Sequence, residues 1–305
     1  MSGRKQCNIC PVVVGVQIER YLQSLRTRGY SPKSLSLYRL GLRELDAFLA
    51  ASGAGSVRDV TAGRLSDYRL SLVERGFKPA SLAAYLKPVR GLFRWLEQRH
   101  EIFLDPAAGL AAPAVPRQLR RVPSEEEMQA LLAAPEVSTP RGVRDRAVME
   151  TAYATALRQG ELVALRVGSV DLDARTVRIM GKGRRERMAP LGSQAALWLA
   201  RYLADARPRI HEGAEEALWV GLKGPLSAEG VTAIFLRHSR TAGISPPIRT
   251  HAVRRACATH MLRAGAGPAE LQALLGHASL RHLSQYLAVT ITELRRMHER
   301  SRLGA

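Results

Sequence analysis

The spacing of apolar residues in the first third of the chain predicts four amphipathic helices. Apolar positions recur every three or four residues, as on one face of a helix. The four stretches span residues 12–28 and begin at Ser31-Pro32, after Asp59-Val60-Thr61 and near Pro79. A serine followed by proline is typical of a helix start, because serine caps free backbone N–H groups and proline fits the first turn. Four such helices with brief turns indicate a small bundle.

A segment rich in alanine, proline and arginine follows this bundle and has weak periodicity. It predicts a linker over residues 113–123 that separates a helical domain at 12–112 from a second domain at 124–305. The sequence Ser124-Glu125-Glu126-Glu127 has the spacing of a capping box, which predicts that a helix begins there.

The second domain combines helices with a short β-hairpin. Residues 170–179 are predicted to form a strand, a turn and a second strand, and 187–191 a returning strand. The turn Gly181-Lys182-Gly183 before the returning strand places Lys182 at or beside the tip of a hairpin. Residues 193–305 are expected to be mostly helical, with a break at Pro208 among others. The predicted fold class is mainly α with a small antiparallel β-sheet.

The formal net charge is +19, and both halves of the chain carry more basic than acidic residues. This balance favours a polyanion held from two sides over a single basic tail, although basic residues can also simply be solvated. A nucleic acid is the expected partner. The basic side chains expected to contact it are Arg39, Arg43, Lys87, Arg90, Arg94, Arg120, Arg121, Arg184 and Arg185.

Three cysteines argue against a disulfide framework and for a reducing, cytoplasmic location. Cys7 and Cys10 have the spacing of half a zinc knuckle, but no second pair of ligands lies nearby, so no metal site is expected. No apolar run is long enough for a membrane span. The motif regions also lack a Gly-rich nucleotide loop and the clustered carboxylates of two-metal nucleases, so no cofactor is expected.

Six residues of the second domain have the chemistry of a phosphodiester site. Arginine binds phosphate oxygens through planar, permanently charged contacts. Lysine and histidine can move protons, and tyrosine can attack phosphorus and hold a covalent intermediate. The six are Arg158, Lys182, His251, Arg254, His277 and Tyr286.

These residues lie in five motifs that occur in a fixed order. The motifs are Tyr153-Ala154-Thr155-Ala156-Leu157-Arg158 with Glu161-Leu162, Gly181-Lys182-Gly183 with Glu186-Arg187 and Pro190-Leu191, His251-Ala252-Val253-Arg254, Leu274-Leu275-Gly276-His277, and Gln285-Tyr286. In this order the chain resembles the tyrosine recombinase (phage integrase-type) family, and its Xer-like branch in particular, over roughly residues 12–300. The resemblance implies a helical, SAM-like core-binding domain followed by an α+β catalytic domain.

The resemblance also implies a role for each residue. Tyr286 would attack phosphorus, leaving a 3′-phosphotyrosine and a free 5′ hydroxyl. Arg158 and Arg254 would hold the non-bridging oxygens and stabilise the transition state. Lys182 would protonate the leaving 5′ oxygen.

The remaining polar residues of the motifs would assist this reaction. His251 and His277 would hydrogen-bond the phosphate and help to move the tyrosine proton, and Glu161 would support His251 or an arginine. Six other histidines are expected at the surface or in packing roles: His100, His211, His238, His260, His282 and His298.

A phosphotyrosine conserves the energy of the broken phosphodiester, so rejoining needs no ATP. The resemblance implies a homo-tetramer on DNA, alone or with a partner recombinase, that exchanges strands through a Holliday junction. It also implies that the tail after Tyr286 docks on a neighbouring protomer.

Two alternatives remain open from the sequence. A type IB topoisomerase-like enzyme would use the same site to nick and reseal DNA as a monomer, and a DNA-binding protein with a degenerate site would have no activity. Three places depart from the family pattern: Ala156 stands where glycine is common, Gly160 where a capping serine is frequent, and Leu287-Ala288-Val289 where a Thr-His-like pair is common.

Overall fold

A computed structural model describes residues 14–114, 121–181, 186–213 and 215–276. The chain divides into two compact units, Met1–Arg117 and Gln118–Ala305. No helix among the described residues is long and apolar enough to cross a membrane.

The described part of the first unit is a bundle of four helices. Two of its helices begin as the sequence predicts, because the Ser31 hydroxyl accepts a hydrogen bond from the Ser34 N–H and Thr61 does the same for Arg64. The helices are α1 Gly15–Thr27, α2 Pro32–Ala51, α3 Ala62–Glu74 and α4 Pro79–Gln98.

Leucine and aromatic side chains form the core of this bundle. Leu42, Leu65 and Phe93 are fully buried. A side chain at Gly91 would collide with the Tyr21 hydroxyl, since a Cβ there would lie only 2.1 Å from that oxygen. The glycine in α4 therefore allows α1 to approach closely, and the aromatic ring of Tyr21 packs against Trp95.

The second unit packs helices around a small antiparallel sheet. Its first helix has the predicted capping box, in which Ser124 accepts from the Glu127 N–H and Glu127 accepts from the Ser124 N–H. The described helices are α5 Glu125–Ala133, α6 Pro140–Thr155, α7 Gln159–Val163, α8 Ser193–Arg201, α9 Arg207–Ile210, α10 Ala228–Thr241, α11 Thr250–Arg263 and α12 Pro268–Leu275.

The predicted hairpin is present. Strands β1 Val170–Asp171, β2 Thr176–Met180 and β3 Glu186–Pro190 form one antiparallel sheet, in the order β1-β2-β3. In an antiparallel pair of strands, residues that lie opposite each other point to the same face of the sheet. Ile179 lies opposite Arg187, and Val177 lies opposite Ala189. Val177, Ile179 and Ala189 are buried, so this face is turned to the core.

Two features differ from the sequence prediction. Pro208 does not end the helix: it directly follows a π-helical turn at Tyr202–Ala206, which joins α8 to α9. A second hairpin, β4 Val220–Gly221 with β5 Gly224–Pro225, was not predicted, since two-residue strands have no detectable alternation.

Candidate active site

The turn that carries Arg158 begins with a residue in an unusual backbone conformation. Ala156 ends α6 with φ of 49° and ψ of 32°, the left-handed region that favours glycine. Glycine would therefore adopt this conformation with less strain than the alanine present here. The change of direction places Arg158 at the N-cap of α7, where its side chain is 42% exposed.

Neighbouring residues fix this turn to the rest of the unit. The side-chain amide of Gln159 donates to the Thr232 hydroxyl at 2.7 Å and also to the carbonyl of Ala228, both on α10. The Trp219 indole donates to the Leu162 carbonyl at 2.9 Å. Gly160 does not occupy the capping position expected for it, because Arg158 is the N-cap and Gly160 lies inside α7.

Glu161 has two arginine partners. Its carboxylate accepts from the Arg158 N–H at 3.0 Å and from Arg158 Nη1 at 2.8 Å, and a second guanidinium, that of Arg187, contacts both oxygens. Burial alone would raise the pKa of this carboxyl, but the hydrogen bonds from Arg187 and Arg158 outweigh burial and lower the pKa to about 2. Glu161 is therefore ionised at any physiological pH.

Arg187 is part of this cluster although the sequence assigned it no role. It lies on the inner face of β3, and its side chain is only 15% exposed. The indication was available in the sequence: strand alternation puts Arg187 on the same face as Ala189, and a charged side chain on a buried face requires an opposite charge.

Arg254 is buried in the middle of α11. Its Nη1 donates to the carbonyl of Ala156 and its Nη2 to the carbonyl of Leu275 at 2.7 Å. These two carbonyls stand two residues before Arg158 and two residues before His277. Arg254 thus joins two of the predicted catalytic motifs.

His251 lies in the first turn of α11, one turn before Arg254, and is exposed. The structure therefore brings together Arg158, Glu161 and Arg254, and places His251 on the same helix as Arg254. Several predicted residues lie outside the described part of the chain: Lys182, His277 and Tyr286, together with Arg120, Arg184 and Arg185.

His260 is a buried residue with a defined hydrogen-bonding role. Its Nδ1 lies 2.8 Å from the Tyr153 hydroxyl and its Nε2 lies 3.0 Å from the Pro123 carbonyl. The carbonyl can only accept, so Nε2 carries the proton and Nδ1 accepts from Tyr153. Burial lowers the pKa of His260. His260 thus ties the residues that enter the second unit to α11.

The basic residues of the first unit differ in how they are paired. Arg39 forms a two-pronged ion pair with Glu19, with Nε···Oε1 of 3.1 Å and Nη2···Oε2 of 2.7 Å. Lys87, Arg90 and Arg94 follow one face of α4, and none of the three makes an ion pair with another residue described in this unit. Arg43 is exposed on α2.

In the second unit, Arg121 is also paired. It contacts Glu127 and donates to the Pro246 carbonyl at 3.3 Å.

Among residues 14–114, 121–181, 186–213 and 215–276, no group of three potential metal ligands occurs.

Comparisons of the chain with known proteins identify its family. The phage integrase family matches residues 121–293, and the N-terminal SAM-like domain of phage integrases matches residues 18–100. The chain is 36% identical to tyrosine recombinase XerC 2 of Ralstonia nicotianae, over 92% of this chain and 84% of the relative. It is 35% identical to tyrosine recombinase XerD of Xanthomonas campestris, over 93% and 90% of the two chains.

Solved structures share the fold at lower identity. The XerH recombinase bound to its palindromic difH substrate superposes with a TM-score of 0.76 at 19% identity, over 93% of this chain and 83% of that one. The lambda integrase tetramer bound to a Holliday junction gives 0.71 at 21%, over 90% and 77%. The chain belongs to the phage integrase family, and it is a site-specific tyrosine recombinase of the Xer type, an enzyme that breaks and rejoins DNA.

Proposed function

We propose that this enzyme cuts double-stranded DNA by attack of Tyr286 on a backbone phosphate. The phenolic oxygen bonds to phosphorus as the bond to the 5′ oxygen breaks, which leaves a 3′-phosphotyrosine. Lys182 gives its proton to the departing oxygen, and a histidine, His251 or His277, receives the tyrosine proton. Attack by a 5′ hydroxyl reverses these steps and rejoins the strand without ATP.

The observation that carries this proposal is the position of Arg254 between two motifs. Its guanidinium bonds the backbone beside Arg158 and the backbone beside His277. A phosphate near these groups would meet the charges of Arg158 and Arg254 together. Preorganised charge of this kind stabilises a transition state most strongly, and removal of one donor costs roughly 2.7–4 kcal/mol in comparable sites.

We further propose that two sites are brought together by four protomers and that strands are exchanged in pairs through a Holliday junction. The solved lambda integrase tetramer on such a junction supports this assembly. The relatives named XerC and XerD suggest that a partner recombinase takes part. We place the reaction in the cytoplasm, where the DNA is, and we propose 12–112 and 124–305 as the DNA-binding and catalytic domains.

A nicked duplex that carries the cognate site tests the chemistry. Once the strand is cut, the short fragment beyond the nick diffuses away, so the covalent protein–DNA adduct accumulates. Wild type should form this adduct and Tyr286→Phe should not. No adduct with wild type would rule out the proposed cleavage, and an adduct with Tyr286→Phe would rule out the nucleophile.

A plasmid with two sites separates the proposal from its alternatives. A recombinase resolves the plasmid into two circles, whereas a topoisomerase-like enzyme only relaxes it. A protein with a degenerate site binds the plasmid and does neither.

A further inference from the structure

We propose that Arg187 is a positioning residue for DNA cleavage. By neutralising the Glu161 carboxylate, Arg187 leaves the charge of Arg158 available to the phosphate. This inference rests on the proposed cleavage reaction. It concerns a residue to which the proposed reaction gives no direct part.

The contacts of Glu161 show a division between its two arginine partners. Arg187 Nη2 donates to Oε2 at 2.8 Å and Nη1 lies 3.3 Å from Oε1, so this guanidinium faces the carboxylate with both prongs. Arg158 approaches with its Nη1 alone at 2.8 Å. The two-pronged partner has the stronger ion-pair geometry.

The two arginine partners of Glu161 also differ in how far they are buried. The side chains of Arg187 and Glu161 are 15% and 9% exposed, whereas that of Arg158 is 42% exposed. The buried pair is screened little by water, so Arg187 compensates most of the Glu161 charge. The three side chains together carry one net positive charge, and the exposed member is Arg158, which can turn that charge towards DNA.

Without Arg187, the same carboxylate would have Arg158 as its only cationic partner in the cluster. Arg158 and Glu161 would then form a neutral pair, held by the N-cap contact as well as by the side-chain contact. A phosphate would have to compete with Glu161 for the guanidinium of Arg158. The expected loss therefore includes the cleavage step, in addition to the stability that the buried ion pair contributes.

A second contact of Arg187 reaches the segment before His277. A Cβ built on Gly276 would lie 3.0 Å from Nε, Cζ and Nη1 of Arg187, so the guanidinium packs directly against this glycine. Gly276 ends α12 with φ of 58°, a conformation that glycine adopts without strain. Nε of Arg187 is buried and has no hydrogen-bond partner among the described residues. Arg187 thus links the Glu161 cluster to the turn at the end of α12.

The test uses the full chain and the nicked duplex, with cleavage measured in single turnover at saturating DNA. Arg187→Gln should cleave roughly 10- to 100-fold more slowly than wild type, the size expected when a catalytic group is misplaced. Arg187→Lys keeps the charge and should lose less. The matched control is Arg178→Gln, which removes the same charge from the exposed outer face of the adjacent strand and should cleave like wild type.

Two readouts separate charge compensation from a merely structural role. In the double variant Arg187→Gln with Glu161→Gln, the competing carboxylate is gone, so the cleavage rate should recover at least to the rate of Glu161→Gln alone. On a duplex whose scissile phosphate is a neutral methylphosphonate, the defect of Arg187→Gln should shrink, because the charge of Arg158 matters less there.

Three outcomes would overturn the proposal. Arg187→Gln could cleave within about twofold of wild type, its defect could be equal on the charged and neutral substrates, or the double variant could be slower than both single ones. If wild type itself forms no adduct, the proposed function fails first, and that result is distinct from the other three.

Discussion

Nη1 of Arg254 donates a hydrogen bond to the carbonyl of Ala156, which ties the middle of α11 to the end of α6. The same guanidinium reaches the Leu275 carbonyl at the end of α12. One side chain therefore sets the spacing of three segments, the first of which lies 98 residues before Arg254 in the chain. Its replacement should affect stability as well as chemistry.

Arg254→Lys tests this double role. Lysine keeps the charge but has one nitrogen, so it cannot donate to both carbonyls from the position of the guanidinium. We expect adduct formation to fall by at least about 100-fold and unfolding to become easier by roughly 1–3 kcal/mol, since a buried carbonyl is left without its donor. Urea unfolding and the nicked duplex measure the two effects. Arg249→Lys, exposed at the start of the same helix, is the control.

Ala156→Gly should be tolerated or stabilising. A left-handed conformation costs an alanine about 1–2 kcal/mol, which offsets the removal of one buried methyl group and the greater flexibility of glycine. Ala152→Gly, inside the same helix, has no such compensation and should destabilise the protein by about 1–2 kcal/mol. Equal midpoints for the two variants in urea would contradict the assigned conformation of Ala156.

The Glu161 carboxyl should make the stability of the protein depend on pH in the acid range. Its pKa is 4.5 in the unfolded chain and about 2 in the folded one, so its stabilising effect is complete above pH 4.5 and is lost as the pH falls towards 2. At 1.36 kcal/mol per pKa unit this amounts to roughly 3 kcal/mol. Glu161→Gln should flatten the stability curve in this window, which unfolding at several pH values would show. An unchanged slope would mean that Glu161 is not the responsible group.

His260 should make the stability of the protein depend on pH near neutrality, and here too stability should fall as the pH falls. Its pKa is lowered in the folded state, so the unfolded chain binds more protons and stability falls as the pH drops below about 6.5. His260→Gln should weaken this dependence, while His100→Gln, which changes an exposed histidine, should leave it intact. The midpoint of thermal unfolding between about pH 5.5 and 8 provides the measurement.

The basic face of α4 should determine the salt dependence of DNA binding. Each phosphate contact that a variant removes should make the slope of log K against log salt shallower by about 0.9. We expect this change for Lys87→Gln, Arg90→Gln and Arg94→Gln. Arg39→Gln should change the slope less, because Arg39 is already bound to Glu19. Equal slopes for all four variants and wild type would mean that α4 does not contact the backbone.

Much of the fold was predictable from local sequence. The starts of α2 and α5 depend on Ser31 and Ser124, whose hydroxyls bond N–H groups three residues away, so a short window contains all the information. The hairpin of β2 and β3 is equally local. The motifs around Arg158 and Arg254 lie in short windows too, which is why the amino-acid sequence alone indicates the family.

What the sequence by itself determined was therefore the order of most elements, the basic character of both halves of the chain and the family, from which the set of catalytic side chains is proposed. Only the tertiary structure decided the partners: Arg187 with Glu161, 26 residues apart, and His260 with Tyr153 and Pro123, 107 and 137 residues away. It also decided the left-handed backbone of Ala156, whose carbonyl meets Arg254. The reason is physical: caps and periodicity act between neighbours in the chain, whereas the pairing of buried charges and hydrogen bonds depends on which segments packing brings together.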